Sequence, residues 1–230
     1  MSNAVSYELS GSVATITMDD GKVNSLSPGM LAELRAALDR ADSDKAVVLL
    51  AGREGRFSAG FELSVFKQGG EAVRDMLLAG ARVAERILSF PTPVVVACSG
   101  HALAMAAFLM LSADLRIGVE GPYKIGLNEV AIGLTVPHFG IEIARQRLSP
   151  AHFNLALTTG FIYSPQEAVP AGFLDRVVPA SDLKAVTREA AVGLTRLDMT
   201  AHAETKQRAR EGALKALRAA IRADFGEGAR

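Results

Sequence analysis

The chain has 230 residues, enough for one domain or one domain with a small appendage, and 49% of them are hydrophobic, enough for a large buried core. Its 25 Lys and Arg balance 25 Asp and Glu, and a formal charge of zero argues against bulk nucleic-acid binding. The single cysteine, Cys98, excludes an internal disulfide or a multi-cysteine zinc site, no apolar run reaches the roughly 18 residues of a membrane span, and Met1 to Gly11 lacks a secretory pattern, so a soluble cytoplasmic protein is expected.

In chain order, Tyr7–Leu9 and Val13–Met18 read as two strands around a turn at Ser10–Gly11. Ser27 caps a helix with Pro28 at its first position, running to about Arg40. The apolar run Ala46–Leu50 predicts a buried strand, and Glu71–Leu88 a long helix ended by Pro91 and Pro93. Val94–Cys98 and Leu115–Val119 follow as strands. Ser149–Pro150 and Ser164–Pro165 open helices at 151–159 and 166–171, and 175–178 is a last strand. Residues 181–194 and 200–223 predict two helices, the second rich in Ala, Lys and Arg. This order argues an α/β body followed by a helical tail.

Three segments break the surrounding patterns. Arg56–Leu63 follows a buried strand, where α/β folds place ligands, and Gly60 lets a ligand approach the backbone; an ordinary loop is the competing reading. Ser99–Phe108 leads small residues into an apolar helix whose first N–H groups could face an anion or a polarised carbonyl; a tightly packed core helix is the alternative. Lys124–Gly133 holds Glu129 in a mostly apolar stretch, which suits a general acid or base, against the alternative of a solvated loop glutamate. No His/Asp/Glu cluster has metal-ligand spacing, and no metal is expected. Packing or loop roles are expected for His101, His138, His152 and His202, and a buried apolar place for Cys98.

Taken together, these segments resemble the crotonase (enoyl-CoA hydratase/isomerase) superfamily. Phe57–Leu63 is similar to its Phe-Ser-Ala-Gly-X-Asp-Leu loop, Ser99–Ala106 to its Asn-Gly-X-Ala-X-Gly-Gly-Gly loop, and Gly126–Pro137 to its Gly-X-X-Glu or Pro-Glu segment ending in Gly-X-X-Pro. Ala168–Val178 is similar to its closing Ala-X-X-X-Gly-X-Val-Asp-X-Val-Val turn, and Val23–Ser27 to a further loop. The resemblance implies an α/β spiral of strand–strand–helix repeats over residues 1–175 and a C-terminal helical module over 176–230 that serves trimerisation and CoA contacts. It implies a homotrimer or dimer of trimers acting on acyl-CoA in fatty-acid metabolism, with no nucleic-acid or membrane partner. No separate cofactor is implied, since CoA belongs to the substrate.

The shared chemistry of the superfamily stabilises a thioester enolate with two backbone N–H donors. Carried over, those are Phe61 and Met105, although Ala104-Met105-Ala106 replaces a glycine triplet. CoA would lie against Val23, Asn24, Leu26, Phe57, Ala59 and Gly60, with Lys206 among the tail cations that meet its phosphates. Family hydratases carry two glutamates; here the first position is Phe108 and Glu129 remains. The resemblance therefore favours an enoyl-CoA isomerase moving a 3-enoyl double bond to the 2-position through Glu129. The alternatives are a hydratase (a lyase adding water to 2-enoyl-CoA) and a non-catalytic acyl-CoA binder.

Overall fold

The computed structural model describes residues 4–226 and 228. The strands β1 (Val5–Ser10) and β2 (Val13–Met18) form an antiparallel hairpin. Helix α1 (Pro28–Ser43) starts at Ser27, whose hydroxyl accepts the Met30 N–H at 3.1 Å. Three turns follow. The first is β3 (Val47–Ala51), β4 (Gly55–Ser58), the short α2 (Leu63–Phe66) and α3 (Gly70–Leu88). The second is β5 (Val94–Cys98), β6 (Gly100–Leu103) and α4 (Met105–Leu111). The third is β7 (Leu115–Val119), β8 (Ile125–Gly126), a 3-10 turn at Val130–Ile132 and α5 (His138–Arg145).

Each turn gives its first strand to a six-stranded sheet, ordered β1-β2-β3-β5-β7-β10, and its second to a four-stranded sheet, ordered β4-β6-β8-β9. The chain closes with α6 (Pro150–Thr159), β9 (Ile162–Tyr163), α7 (Pro165–Ala171), β10 (Arg176–Val178), α8 (Leu183–Leu194), α9 (Met199–Ala209) and α10 (Glu211–Phe225). Pairing is parallel except β1–β2 and β8–β9. This is a strand–strand–helix spiral.

Alternation along the central strands explains the layers. Val47 and Leu49 of β3 join Val95 and Ala97 of β5 against Leu183 and Ala191 of α8. Val48 and Leu50, with Val94, Val96 and Cys98, face the larger core under α1, α3 and α4. Central parallel strands covered on both faces read as unbroken apolar runs, which is why these two were legible.

Two expectations are corrected. The lead-in to the apolar helix, residues 100–103, is strand β6; with β4, β8 and β9 it is only two to four residues long and leaves no periodic trace. Its backbone lies so close to β4 that a Cβ on Gly100 would fall 2.1 Å from the Gly55 carbonyl. The helix expected over 200–223 is two, interrupted at Arg210 (φ −104°, ψ 6°). There the guanidinium turns inward to Asp114 at 2.7 Å and to the Leu88 carbonyl at 2.8 Å.

Candidate active site

The loop 19–26 and the segment after β4 are tied into one unit. Asn24, in left-handed conformation (φ 55°) and fully buried, donates through Nδ2 to the carbonyls of Met18 (2.9 Å) and Phe57 (3.2 Å). Ser58 Oγ donates to the Asn24 carbonyl at 2.6 Å and accepts the Gly60 N–H at 3.1 Å. Ala59 N–H reaches the Val23 carbonyl, and Leu26 accepts from Glu62 while donating to Gly60. Phe57 and Leu26 bury their side chains in the core. Asn24, Leu26 and Phe57 therefore build the loop from within, while Val23, Ser25 and Ala59 face a cavity.

In the parallel bridge Leu26–Phe61, the residues flanking Phe61 make the bonds to Leu26, so the Phe61 N–H points to the other side. Met105 is the first residue of α4, and the first N–H groups of a helix have no intrahelical acceptor. The two segments touch: a Cβ on Gly60 would lie 2.8 Å from the Leu103 carbonyl oxygen and 3.4 Å from Met105 N. Gly60 itself has φ 89°, a region open to glycine. Ala104, just before Met105, also has positive φ (51°), a strained setting for a residue with a Cβ. The Met105 side chain finds its room at Gly80 of α3, where an added Cβ would fall 3.4 Å from Met105 Cε and 2.5 Å from Phe61 Cζ.

The cavity beside these two segments has a volume of about 520 Å³. Phe61, Phe66, Phe108 and Phe139 supply its aromatic wall, and Phe108 and Phe139 meet edge to face at 6.3 Å. Glu129 lines it just before the 3-10 turn, its own carbonyl accepting the N–H groups of Ile132 (3.0 Å) and Leu134 (2.9 Å). Glu129 is 7% exposed, and its Oε2 is buried without a hydrogen-bond partner among the described residues. Burial pushes the carboxyl up to about 7, offset in part by its own backbone N–H. Among the described residues lining the cavity, the other titratable group is Glu62, which sequence reasoning missed. Glu62 is partly exposed and accepts the Ser64 hydroxyl at 2.7 Å. Its only signal was its place beside Phe61, where the resembled loop carries Asp.

Lys206 is not brought to this cavity. Its ammonium is buried against Asp114 at 2.7 Å and the Thr92 carbonyl at 3.5 Å, and burial holds it down at about 8. Arg218 and Arg208 are likewise paired, with Glu85 (2.7 Å) and Glu204 (3.2 Å). His101 accepts the Lys124 N–H at 3.0 Å, and His138 meets Asp224 at 2.6 Å; neither lines the cavity. Cys98 is buried, and desolvation raises its thiol to about 12.

The family model described as enoyl-CoA hydratase/isomerase matches residues 8–226. The chain belongs to this family. It is 32% identical over 192 residues to a putative enoyl-CoA hydratase of Thermus thermophilus, covering 79% of this chain and 75% of the relative. Among solved structures, an enoyl-CoA hydratase/isomerase family protein from Pseudomonas syringae superposes with TM-score 0.95 at 45% identity, covering 97% of each chain. A Mycobacterium tuberculosis protein, named an enoyl-CoA isomerase in one solved structure and a probable enoyl-CoA hydratase in another, superposes with TM-scores of 0.94 and 0.93 at 41% identity, the first covering 99% of this chain and 100% of that one. These crotonase-fold relatives agree with the spiral seen here, and acyl-CoA is the substrate class the family implies. Among the described residues no helix is long and apolar enough to cross a membrane, and no group of three His, Cys, Asp or Glu could hold a metal.

Proposed function

We propose that this chain is a 3-enoyl-CoA to 2-enoyl-CoA isomerase in which Glu129 is the single proton carrier. The observation that supports it is one deeply buried carboxylate facing a cavity whose aromatic wall includes Phe108. Ionised Glu129 takes a proton from C2, and the charge that develops on the thioester oxygen is met by the N–H groups of Phe61 and Met105. Protonated Glu129 then returns the proton at C4, acting as acid after acting as base. The CoA moiety lies along Val23, Ser25, Ala59 and Gly60, with Asn24, Leu26 and Phe57 holding that loop in place. Assembly as a homotrimer or dimer of trimers, work in the cytoplasm and a place in fatty-acid metabolism belong to the same proposal.

Hydration is the second reading, because Glu62 is a second carboxylate on the cavity. It is the weaker one: hydration needs a water held and deprotonated at C3, and Glu62 is partly exposed and engaged by Ser64. A non-catalytic binder is disfavoured by the raised carboxyl of Glu129, an arrangement suited to a base. The deciding measurement offers 3-enoyl-CoA and 2-enoyl-CoA to one preparation. Isomerisation is expected to exceed hydration at least tenfold; faster hydration would overturn the isomerase reading, and binding without turnover of either would leave a binder.

The donor pair has its own test. Gly60→Ala places a Cβ against Leu103 and Ala104 at a φ that disfavours it, which shifts the Phe61 N–H. The expected loss in kcat/KM is on the order of a hundredfold, the effect of one oxyanion donor. Unchanged turnover by a folded Gly60→Ala protein would remove Phe61 from the mechanism.

A further inference from the structure

A second hollow, of about 570 Å³, lies between α5 and α6 and shares Leu134 and Thr135 with the Glu129 cavity. Val136, Ile141, Phe153 and Leu157 give it an apolar lining, and no charged side chain lines it among the described residues. Asn154 and Thr158, one helical turn apart on α6, form a polar rim. On the 3-10 turn between the two spaces, Val130 lines the second hollow and Ile132 the Glu129 cavity, apolar side chains 38% and 50% exposed.

We infer that this hollow receives the distal end of a long acyl chain, making the protein's preferred substrates long-chain acyl-CoA thioesters. The inference rests on the reading of the first cavity as the thioester and proton-transfer site. Given that reading, the CoA end is at Val23 and Ala59 and the reacting carbons are at Glu129. A chain continuing beyond C4 meets Phe108 and Phe139 on the core side, both fully buried and packed edge to face. Leu134 and Thr135, which line both spaces, put the second hollow beside the first. An uncharged, apolar-floored extension suits a hydrocarbon, which gains from leaving water and needs no polar partner. A charged or polar acyl group would lose its hydration there without replacement.

The test measures binding of saturated acyl-CoA thioesters to the full chain by titration calorimetry, so that it does not depend on turnover. Kd is expected to fall at least thirtyfold from hexanoyl- to hexadecanoyl-CoA; complete burial would give about fourfold per methylene, so this requires only part of the tail to be covered. Thr158→Trp, which fills the hollow from its rim, should weaken hexadecanoyl-CoA binding at least tenfold and leave hexanoyl-CoA within twofold. Asn154→Trp, one turn away, serves if Thr158→Trp does not fold. Equal affinity for both thioesters overturns the inference while leaving the isomerase reading intact. Failure of every thioester to bind overturns both. A Trp variant that changes the oligomeric state in light scattering but keeps the chain-length profile makes the hollow a contact between copies, and the inference falls.

Discussion

Glu129→Gln is expected to lower the isomerisation rate by about three to four orders of magnitude, near the upper end of what a positioned general base contributes, with acyl-CoA affinity kept. The amide is nearly isosteric and neutral, so the cavity keeps its shape and loses its base. In the unsubstituted protein kcat/KM should rise with pH through about 7 and level above it, because the ionised form is the base. Stability runs the other way. The folded-state pKa of Glu129 lies above its ordinary value of 4.5, so its contribution is fully present below 4.5 and is lost as pH rises through about 7. At pH 8 this amounts to at most about 3 kcal/mol, which Glu129→Gln would recover as a rise in Tm of several degrees. An inactive variant that is also more stable at pH 8, with no such gain at pH 4, would mark a base held in its pocket against its own ionisation. Activity within tenfold of the parent would remove Glu129 from the mechanism.

Asp114→Ala should be the most destabilising single change outside the cavity. Asp114 accepts Lys206 Nζ, Arg210 Nη2 and the Val94 N–H, each at 2.7 Å. Lys206 and Arg210 side chains are 5% and 14% exposed, so removing the carboxylate leaves two buried cations and an unpaired amide. Breaking a buried ion pair from one side costs about 3–5 kcal/mol, a large share of the roughly 5–15 kcal/mol that holds a domain together. Thermal unfolding should drop by about 10 °C. Lys206 already has its pKa lowered from 10.5 to about 8, so its contribution to stability is present above 10.5 and lost as pH falls through about 8. The Asp114 carboxylate holds the Lys206 proton on, so without it Lys206 sheds that proton below pH 8. The variant should therefore recover part of its loss relative to the parent as pH rises toward about 8, and a purely steric defect would not. A loss under 1 kcal/mol at pH 7 would show the cluster to be solvated. Acyl-CoA affinity measured well below the transition should change little, since this cluster lies outside the Glu129 cavity.

Local chemistry in the sequence determined much of this protein. Ser27–Pro28 writes its own helix start, Ala46–Leu50 and Val94–Cys98 are apolar runs that suit a parallel strand covered on both faces, and Glu129 in an apolar stretch announces a perturbed carboxylate. The small-residue loops at 57–63 and 99–106 marked where two backbone segments would meet, because close approach demands the absence of side chains. What the tertiary structure decided depends on partners far away in the chain. Strands β4, β6, β8 and β9 exist because they pair with one another, not because two to four residues prefer to be extended. Asn24, Leu26 and Phe57 sit in a motif that touches the cavity, yet their side chains turn inward, and no local pattern distinguishes them from Val23 and Ala59. Met105 is accommodated by Gly80 on another helix. Lys206 looked like a free cation on a basic helix until Asp114, 92 residues earlier, was placed beside it, and Arg210 broke that helix to reach the same carboxylate. Periodicity and caps act over one or two turns of chain, whereas ion pairing and close packing are set by which surfaces the fold brings together.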